Sequence, residues 1–283
     1  LKPLSRRFKI FFRMSLQPRL FFCVFVGAQG LNSNERDSFQ LSNCKVDKAV
    51  CDGQALTSLV TATIDANGHD LRITSNSVPD HATCFQCSQV SDSCYTPAGW
   101  ISEILEEWIV PDSPSPVSSP DHVPPGTIIG IMKNGVPLYR TCDIDLTTLD
   151  GCLGRPHEAD NRYHYVVAPV CMSGWAANFM DKSEMFLGVA MDGFPIYNPF
   201  DSTGNWVSND ALDECHGYDP GSGYRYIAND EPPYVVGCLT GRNQTTEISY
   251  ACPDVGGGVE DRQLGWYSGG WYYDGPYSGY NGW

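Results

Sequence analysis

Two histidines lie close together in the chain, with carboxylates in the loop between them. His157 and His164 are separated by a segment that contains Glu158 and Asp160. If residues 163–165 form a strand, alternation places His164 on one face and its two tyrosine neighbours on the other, and His157 can fold back towards it. Imidazole and carboxylate groups together suit copper or zinc. The pattern predicts either such a metal site or histidines hydrogen-bonded within a tyrosine-lined core.

Cysteines offer a second kind of chemistry. The chain has 12, and Cys23 falls in the N-terminal segment discussed below, which leaves eleven. The spacing of Cys84 and Cys87 could suit zinc or redox chemistry, but no second CxxC or suitably spaced histidine pair accompanies it, so a disulfide is predicted there. Because eleven is odd, at least one thiol is free or pairs between chains. The candidate disulfide cysteines are Cys44, Cys51, Cys84, Cys94, Cys152, Cys171, Cys215 and Cys238.

Other motifs carry weaker signals. The sequence has no HExxH, GxSxG or Walker A segment, so no catalytic constellation is complete and enzymatic activity is not predicted. Acidic clusters lie in predicted loops but lack EF-hand spacing, which leaves weakly bound calcium or solvated charge as their interpretation. Asn243 begins a glycosylation sequon. The acidic clusters are Asp143/Asp145, Asp210/Asp213/Glu214 and Asp230/Glu231.

The first thirty residues have the features of an export signal. Six basic residues and no acids precede or flank the apolar run 20–28, and the small residues Ala28 and Gly30 follow at the spacing of a signal peptidase site. This run is too short to span a membrane. The segment predicts a secreted, extracellular protein, with residues 1–13 ahead of Met14 as translated leader or a fragment edge. After residue 31 no run resembles a membrane helix.

The net charge of the chain limits the classes of molecule that it can bind. Removal of residues 1–30 lowers Lys+Arg from 18 to 12 and leaves Asp+Glu at 33, so the formal net charge changes from −15 to −21. Such a surface repels nucleic acid and anionic lipid and attracts cations, basic proteins and mineral surfaces. The alternative interpretation is that the acidic residues serve only to keep a secreted protein soluble.

An internal repeat predicts the architecture. Residues 129–139 align without a gap on residues 187–197, and both segments have the pattern strand, Asn-Gly or Asp-Gly turn, strand. Further matches follow in the same order: 149–152 with 212–215, and 163–165 with 224–226. We interpret the matches as an ancestral duplication whose halves pack as one β-rich domain.

The repeat also relates individual residues. Each copy ends near a cysteine, so Cys152–Cys171 and Cys215–Cys238 are plausible equivalent disulfides, although sequence alone leaves the connectivity open. In the second copy the position of His157 becomes Tyr218 and that of His164 becomes Arg225.

The predicted fold is mainly β: an internally duplicated, disulfide-braced β-rich domain with few short helices. One helix is predicted over 99–110, from apolar residues at 101, 104, 105, 108 and 109. Six prolines in 111–125 predict a stiff extended connector or an ordered surface loop. The predicted divisions are a leader and signal (1–30), a cysteine-containing segment (31–70), the duplicated domain (71–252, with repeats about 128–171 and 186–238) and a Gly/Tyr/Trp-rich tail (253–283).

These motifs resemble the YHYH-domain family over roughly residues 70–241. The family's signature is represented by YHYV at 163–166 and YRYI at 224–227, and His157 and His164 occupy matching positions. The resemblance implies an extracytoplasmic, β-rich domain without an established reaction. In character, the acidic chain with its Gly/Tyr/Trp tail also resembles proteins of invertebrate skeletal organic matrices. The matching segments are 76–81, 130–136, 188–197, 212–217 and 234–238.

The function predicted from these features is that of a secreted, acidic, non-enzymatic interaction module of an extracellular matrix or a mineral surface, with the tail as a cohesive element. The alternative is a secreted copper- or zinc-binding protein, redox-active in one version, that uses His157 and His164 as ligands. An enzyme assembled from distant loops is the third hypothesis.

Overall fold

The structure is a computed structural model that describes residues 30–39, 48–50, 54–81, 83, 101–141, 149–150 and 152–241. In these residues the fold is mainly β and is braced by disulfides, which confirms the predicted class. The helices are α1 (Ser33–Asp37), α2 (Trp175–Met180) and a 3-10 helix (Asn209–Ala211). The strands are β1 (Lys48–Val50), β2 (Gln54–Leu56), β3 (Val60–Ile64), β4 (Asp70–Ser75), β5 (Glu106–Pro111), β6 (Pro116–Asp121), β7 (Ile128–Met132), β8 (Pro137–Tyr139), β9 (Gly154–Pro156), β10 (Tyr163–Tyr165), β11 (Phe186–Ala190), β12 (Pro195–Tyr197), β13 (Gly217–Tyr218), β14 (Arg225–Ile227) and β15 (Leu239–Gly241).

An eight-stranded sheet forms the centre of the fold, in the order β13-β14-β12-β11-β7-β8-β10-β9. Strands β7 and β11 pair antiparallel at its middle. On each side of them follow an antiparallel hairpin partner, a parallel strand and an antiparallel edge strand. We call β7–β10 the first wing and β11–β14 the second wing. The two wings have the same pairings, and the ancestral duplication stays an interpretation of that likeness.

Both predicted Asx-Gly turns close hairpins. Gly135 has φ +81° and Gly193 has φ +90°, a region that favours glycine. Close packing adds a second requirement, because a Cβ at Gly135 would collide with the Ser75 side chain and one at Gly193 with the Pro111 carbonyl oxygen. Each glycine therefore permits both the turn and the approach of a neighbouring sheet.

That neighbour is the three-stranded sheet β3-β4-β5, which packs on the middle of the large sheet. Its apolar face joins Leu71, Ile73 and Trp108 to Ile131 and Val189 of the large sheet in one buried cluster. A larger cluster contains the wing tyrosines and the apolar residues of both hairpins. The large sheet thus lies between two apolar layers.

The helix predicted over 99–110 is wrong, because residues 106–111 form β5. This strand pairs with all of β4, from Asp70↔Pro111 to Ser75↔Glu106. Trp108 and Val110 are buried, whereas Leu105 is 71% and Ile109 is 40% exposed. Alternate burial is the strand period, and the hydrogen bonds of a distant partner strand outweighed a local helical spacing.

The proline-rich segment 111–125 contains a strand. Residues of β6 pair antiparallel with β15, with Leu239 opposite Asp121 and Gly241 opposite Pro116. Proline has no backbone N–H and is therefore confined to edge strands of a sheet. Because β6 and β15 form a sheet of only two strands, the prolines of β6 meet this condition. The segment is therefore ordered in part as a strand.

The N-terminal part of the described chain packs on the same core. Helix α1 begins at a capping box in which Asn32 and Glu35 satisfy each other's backbone N–H groups. Leu31 and Phe39 flank it and are buried with the three-stranded sheet. The predicted boundary between the N-terminal segment and the duplicated domain, after residue 70, falls at the start of β4. The hairpin partner of this strand, β3, lies on the other side of the boundary.

Several predictions fall outside the described residues. They concern the signal segment up to residue 29, Cys44, Cys51, Cys84, Cys94, the Asn243 sequon and the tail from residue 253. Within the described ranges, no helix has the length and apolar character needed to cross a membrane.

Candidate functional site

Two disulfides occupy equivalent places in the wings, as the repeat predicted. Cys152 pairs with Cys171 at a Cα–Cα distance of 5.1 Å, and Cys215 pairs with Cys238 at 4.6 Å. Each bond joins the loop before an edge strand to the segment that follows the adjacent parallel strand. Each therefore closes one end of its wing.

A carboxylate anchors the first tyrosine of each wing. In the first wing, Tyr163 Oη donates to Asp150 Oδ2 at 2.8 Å, while Asp150 Oδ1 accepts the N–H groups of Cys152 and Gly154. In this arrangement burial raises the pKa of Asp150 to about 7. The carboxyl consequently holds the loop that carries one half of the disulfide.

The second wing repeats this arrangement. Tyr224 Oη donates to Asp213 Oδ2 at 2.9 Å, and Asp213 Oδ1 accepts from the N–H groups of Cys215 and Gly217. Asp213, which the sequence placed in an acidic surface cluster, is thus a structural hydrogen-bond acceptor. Asp213 and its cluster neighbours Asp210 and Glu214 are all exposed.

The second tyrosine of the first wing contacts a histidine from the N-terminal half of the chain. His81 Nε2 and Tyr165 Oη are joined by a hydrogen bond of 2.5 Å. Asn134 Nδ2 donates to the same hydroxyl at 3.0 Å and to Asp80 Oδ1 at 2.8 Å. Asp80 Oδ2 in turn accepts the N–H of Ser173 at 3.0 Å. A buried polar network therefore joins three distant segments around one tyrosine.

In the second wing, backbone groups take the place of the histidine. Tyr226 Oη donates to Asp192 Oδ2 at 2.6 Å and accepts the N–H of Thr240 at 2.7 Å, and the N–H of Gly241 donates to Asp192 Oδ2 at 2.8 Å. Burial raises the pKa of Asp192. The space that holds His81 in one wing thus holds strand β15 in the other.

The predicted pair of histidines comes together at the edge of the first wing. The ring centroids of His157 and His164 are 5.9 Å apart, and the Tyr139 ring lies 4.5 Å from that of His164 and 5.6 Å from that of His157. Strand β10 places His164 between two core tyrosines in sequence, as predicted. The sequence therefore identified a real aromatic cluster.

Neighbouring groups keep His164 neutral. Its Nδ1 donates to the Arg162 carbonyl at 3.4 Å, and its Nε2 accepts from Arg155 Nε at 3.5 Å. Burial lowers the pKa of His164 to about 4. His157 is more exposed, and its Nδ1 lies 3.1 Å from Asp160 Oδ1. A copper or zinc ion at this pair would have to displace a guanidinium, and the metal site at His157 and His164 stays a prediction.

Within the described residues, a different group brings three potential metal-ligand atoms together. One nitrogen of His81 and the sulfurs of Cys152 and Cys171 all lie within 4.8 Å of one another. The sequence reasoning did not single out His81, because it lies 84 positions from its partner Tyr165 and has no counterpart in the repeat. Its only local signal was its place in segment 76–81.

The second wing replaces the imidazole of His164 with a cation. Arg225 lies over the Tyr197 ring at 4.3 Å, and its guanidinium donates to Glu184 at 2.5 Å and to Ser222 at 2.9 Å. The same position therefore carries a tyrosine-stacked group in both wings. This relation of His164 to Arg225 agrees with the repeat alignment.

The relation of His157 to Tyr218 is wrong. Tyr218 lies opposite Arg225 across the β13–β14 pair, just as Arg155 lies opposite His164 across the β9–β10 pair. Tyr218 is thus equivalent to Arg155. Counting back from the parallel strand misplaced it, because the edge loops of the two wings differ in length.

No protein-family model, curated protein or solved structure matches the chain. The resemblance to the YHYH-domain family accordingly stays an expectation.

Proposed function

We propose that this chain is a secreted, acidic, non-enzymatic module that binds cationic partners in an extracellular matrix or on a calcium-containing mineral surface. The observation that carries the proposal is the placement of charge. Acidic side chains outnumber basic ones by 33 to 18 over the whole sequence, and the described basic side chains are mostly engaged within the fold. What remains outside is predominantly negative.

Four arginines are held in ion pairs with carboxylates of the chain. Two of them, Arg162 and Arg225, have side chains that are only 10% exposed. The pairs are Arg36–Asp112, Arg72–Glu107, Arg162–Glu106 and Arg225–Glu184. These cations therefore contribute little positive potential at the surface.

Burial removes two more cations from the surface. Arg140 is buried and donates to the carbonyl oxygens of Gly237 and Val123. Lys133 is largely enclosed, and this burial lowers the pKa of its ammonium group. Lys133 lies in the turn between β7 and β8, and Arg140 follows β8, so both belong to the first wing.

Two acidic loops are held side by side. Asn209 Nδ2 donates to the Pro232 carbonyl at 3.0 Å, and Asn229 Nδ2 donates to Asn209 Oδ1 at 2.8 Å. We call residues 209–214 and 229–233 the acidic loop pair; it carries the exposed Asp210 and Glu214 and the half-buried Asp230 and Glu231. The hydrogen bonds orient this negative surface before any partner binds, which reduces the entropy lost on binding.

Extracellular location is proposed from the export-like N-terminal segment together with the disulfides. Two disulfides brace the wings, and structural disulfides are typical of oxidising compartments. High negative charge on a secreted protein favours association with cations and basic macromolecules.

The test is adsorption of the full-length chain, purified from a secreting host, to calcium carbonate powder at low ionic strength. The variant D210N/E214Q/D230N/E231Q is expected to adsorb about tenfold more weakly, because an exposed ion pair contributes roughly 0.2–1 kcal/mol and four are lost. The matched control D210E/E214D/D230E/E231D keeps every charge in place and is expected to adsorb like the parent chain.

Added salt should weaken adsorption of the parent and of the control alike, since exposed charges are screened. Equal adsorption of the neutralised and charge-preserving variants would refute the role of the acidic loop pair. A parent chain that stays wholly in solution at low salt would refute mineral association itself.

A further inference from the structure

We propose that the pocket of His81, Cys152 and Cys171 binds one soft metal ion, of the Zn²⁺, Cd²⁺ or Cu⁺ type, when the Cys152–Cys171 disulfide is reduced. The potential ligand atoms already lie within 4.8 Å of one another. The disulfide and the metal are alternative occupants of one pocket, and the thiol redox state decides between them.

The donor set determines the class of metal. Two thiolates and an imidazole are the ligands that zinc and copper(I) prefer, and a divalent ion with two thiolates forms a site without net charge. Cys152 and His81 are both buried, so a neutral site costs less to enclose than a charged one. A fourth position stays open for water or a small ligand.

The ligands are held by groups other than the disulfide. His81 is oriented by its 2.5 Å hydrogen bond with Tyr165, the kind of outer contact that fixes a ligating imidazole. The Cys152 backbone is held by Asp150, and Asp80 accepts from Ser173, two residues after Cys171. Reduction therefore leaves all three segments in place.

The distances fit a tetrahedral ion after small side-chain rotations. Metal–sulfur bonds of about 2.3 Å and metal–nitrogen bonds of about 2.0 Å place neighbouring ligands roughly 3.5–3.8 Å apart. The present limit of 4.8 Å between the ligand atoms leaves only about 1 Å of contraction for the imidazole. The sulfurs separate to the same range by rotation about their Cα–Cβ bonds.

The chemistry balances with a phosphine as reductant. The phosphine supplies two electrons and becomes its oxide with oxygen from water, and the two protons of that water convert the disulfide to two thiols. Binding of a divalent ion to both thiolates and to the neutral imidazole then releases two protons. Reoxidation by a small-molecule disulfide expels the metal: the oxidant takes two electrons from the two thiolates and two protons from solution and becomes two thiols, and the sulfurs of the re-formed Cys152–Cys171 bond have lost their thiolate charge.

The second wing offers a matched comparison within the same chain. Its disulfide Cys215–Cys238 lies against the same arrangement of two tyrosines, but Thr240 and Gly241 take the space of His81. His216 is adjacent to Cys215, yet its two ring nitrogens bond to the Val235 carbonyl and to Asn209 Oδ1. The proposed site thus belongs to the first wing.

The test uses the full-length chain reduced with a phosphine and titrated with ¹¹³Cd²⁺, followed by sulfur-to-cadmium charge-transfer absorption and ¹¹³Cd NMR. All other cysteines stay the same in every variant, so differences isolate the site. C152S/C171S is expected to bind one Cd²⁺ fewer per chain. H81Q removes a ligand and is expected to bind this ion at least about 100-fold more weakly, since loss of an outer contact alone costs roughly 10–100-fold.

Two further variants keep the proposal falsifiable. H81C replaces nitrogen with sulfur and should retain the ion with a ¹¹³Cd signal shifted towards all-sulfur coordination. H216Q should bind like the parent chain. Unchanged affinity in H81Q, unchanged stoichiometry in C152S/C171S, or an H81C signal identical to that of the parent would each overturn the proposal.

Discussion

The two wings of the large sheet have the same strand pairings and the same tyrosine–aspartate contacts, but different residues fill the space beside their second tyrosine. In the first wing that space holds His81 and Asp80, and Asn134 donates to both Tyr165 and Asp80. In the second wing it holds the backbone of β15, whose N–H groups require an acceptor, and the turn residue is Asp192. The turn residue of each wing thus matches the group that it contacts: the Asn134 amide donates to the Asp80 carboxylate, whereas the Asp192 carboxylate accepts from a backbone N–H group.

The outer edges of the wings differ in a related way. Neutral His164 and cationic Arg225 both stack on a tyrosine, and Arg225 forms an ion pair with Glu184. His164 has Arg155 as its hydrogen-bond donor and remains uncharged. The same strand pairing thus carries chemically distinct side chains at this place in the two wings.

Exchange of the turn residues Asn134 and Asp192 between the wings should change the free energy of unfolding most. In N134D a carboxylate oxygen would replace the amide nitrogen that lies 2.8 Å from Asp80 Oδ1, and two buried carboxylates would face each other. We expect the free energy of unfolding at pH 7 to fall by about 3–5 kcal/mol. Acid should restore part of this loss, because one shared proton turns repulsion into a hydrogen bond. Urea denaturation measures both.

The reverse exchange, D192N, is the control. Its amide N–H would face the N–H of Gly241, which loses a hydrogen bond without adding a buried charge. The expected cost is about 1–3 kcal/mol, with no recovery in acid. Equal losses in the two variants would show that the wings do not differ in the way described.

Removal of either disulfide should have a similar, smaller effect in both wings. The bonds span sequence separations of 19 and 23 residues. Loop-closure entropy for such lengths is about 3 kcal/mol each. Denaturation of C152S/C171S and C215S/C238S under metal-free conditions measures the two costs. A difference of more than about 2 kcal/mol would mean that one wing depends on its disulfide for packing as well as for chain entropy.

Titration of His164 should give an effect that is confined to acid pH. Its pKa of about 4 lies below the ordinary value of 6.5, so between these pH values the unfolded chain binds a proton that the folded protein does not. Stability should therefore decrease as pH falls from about 6.5 to about 4, and then level off for this group. In two-dimensional NMR spectra the His164 ring signals should shift with a midpoint near pH 4. H164Q should remove this part of the pH dependence, and a midpoint near 6.5 would contradict the burial of the imidazole.

Much of the fold could be predicted because its signals are local. The Asn134-Gly135 and Asp192-Gly193 turns need only an Asx residue followed by a glycine that adopts positive φ, between two apolar runs. The pairings Cys152–Cys171 and Cys215–Cys238 followed from the order of the repeat and are confirmed. The mainly β class followed from short apolar runs between turn residues.

The helical spacing over 99–110 misled because short apolar patterns do not distinguish a helix from an amphipathic strand until a partner strand is known. Strand β4 supplied that partner, and its hydrogen bonds turned Ile109 outwards. The position of Tyr218 was misassigned for a similar reason, since register depends on hydrogen bonds across a pair of strands.

By itself the sequence determined the hairpins, two candidate disulfide pairs, the histidine pair at residues 157 and 164, and the excess of acidic residues, because each depends on nearby residues, on the internal repeat or on composition. Only the tertiary structure decided that His81 lies beside the Cys152–Cys171 disulfide, that Asp213 is a structural acceptor, and that most of the described arginines pair within the fold. These contacts join segments far apart in the chain, and their formation depends on how the sheets pack, a property of the whole fold that no single segment encodes.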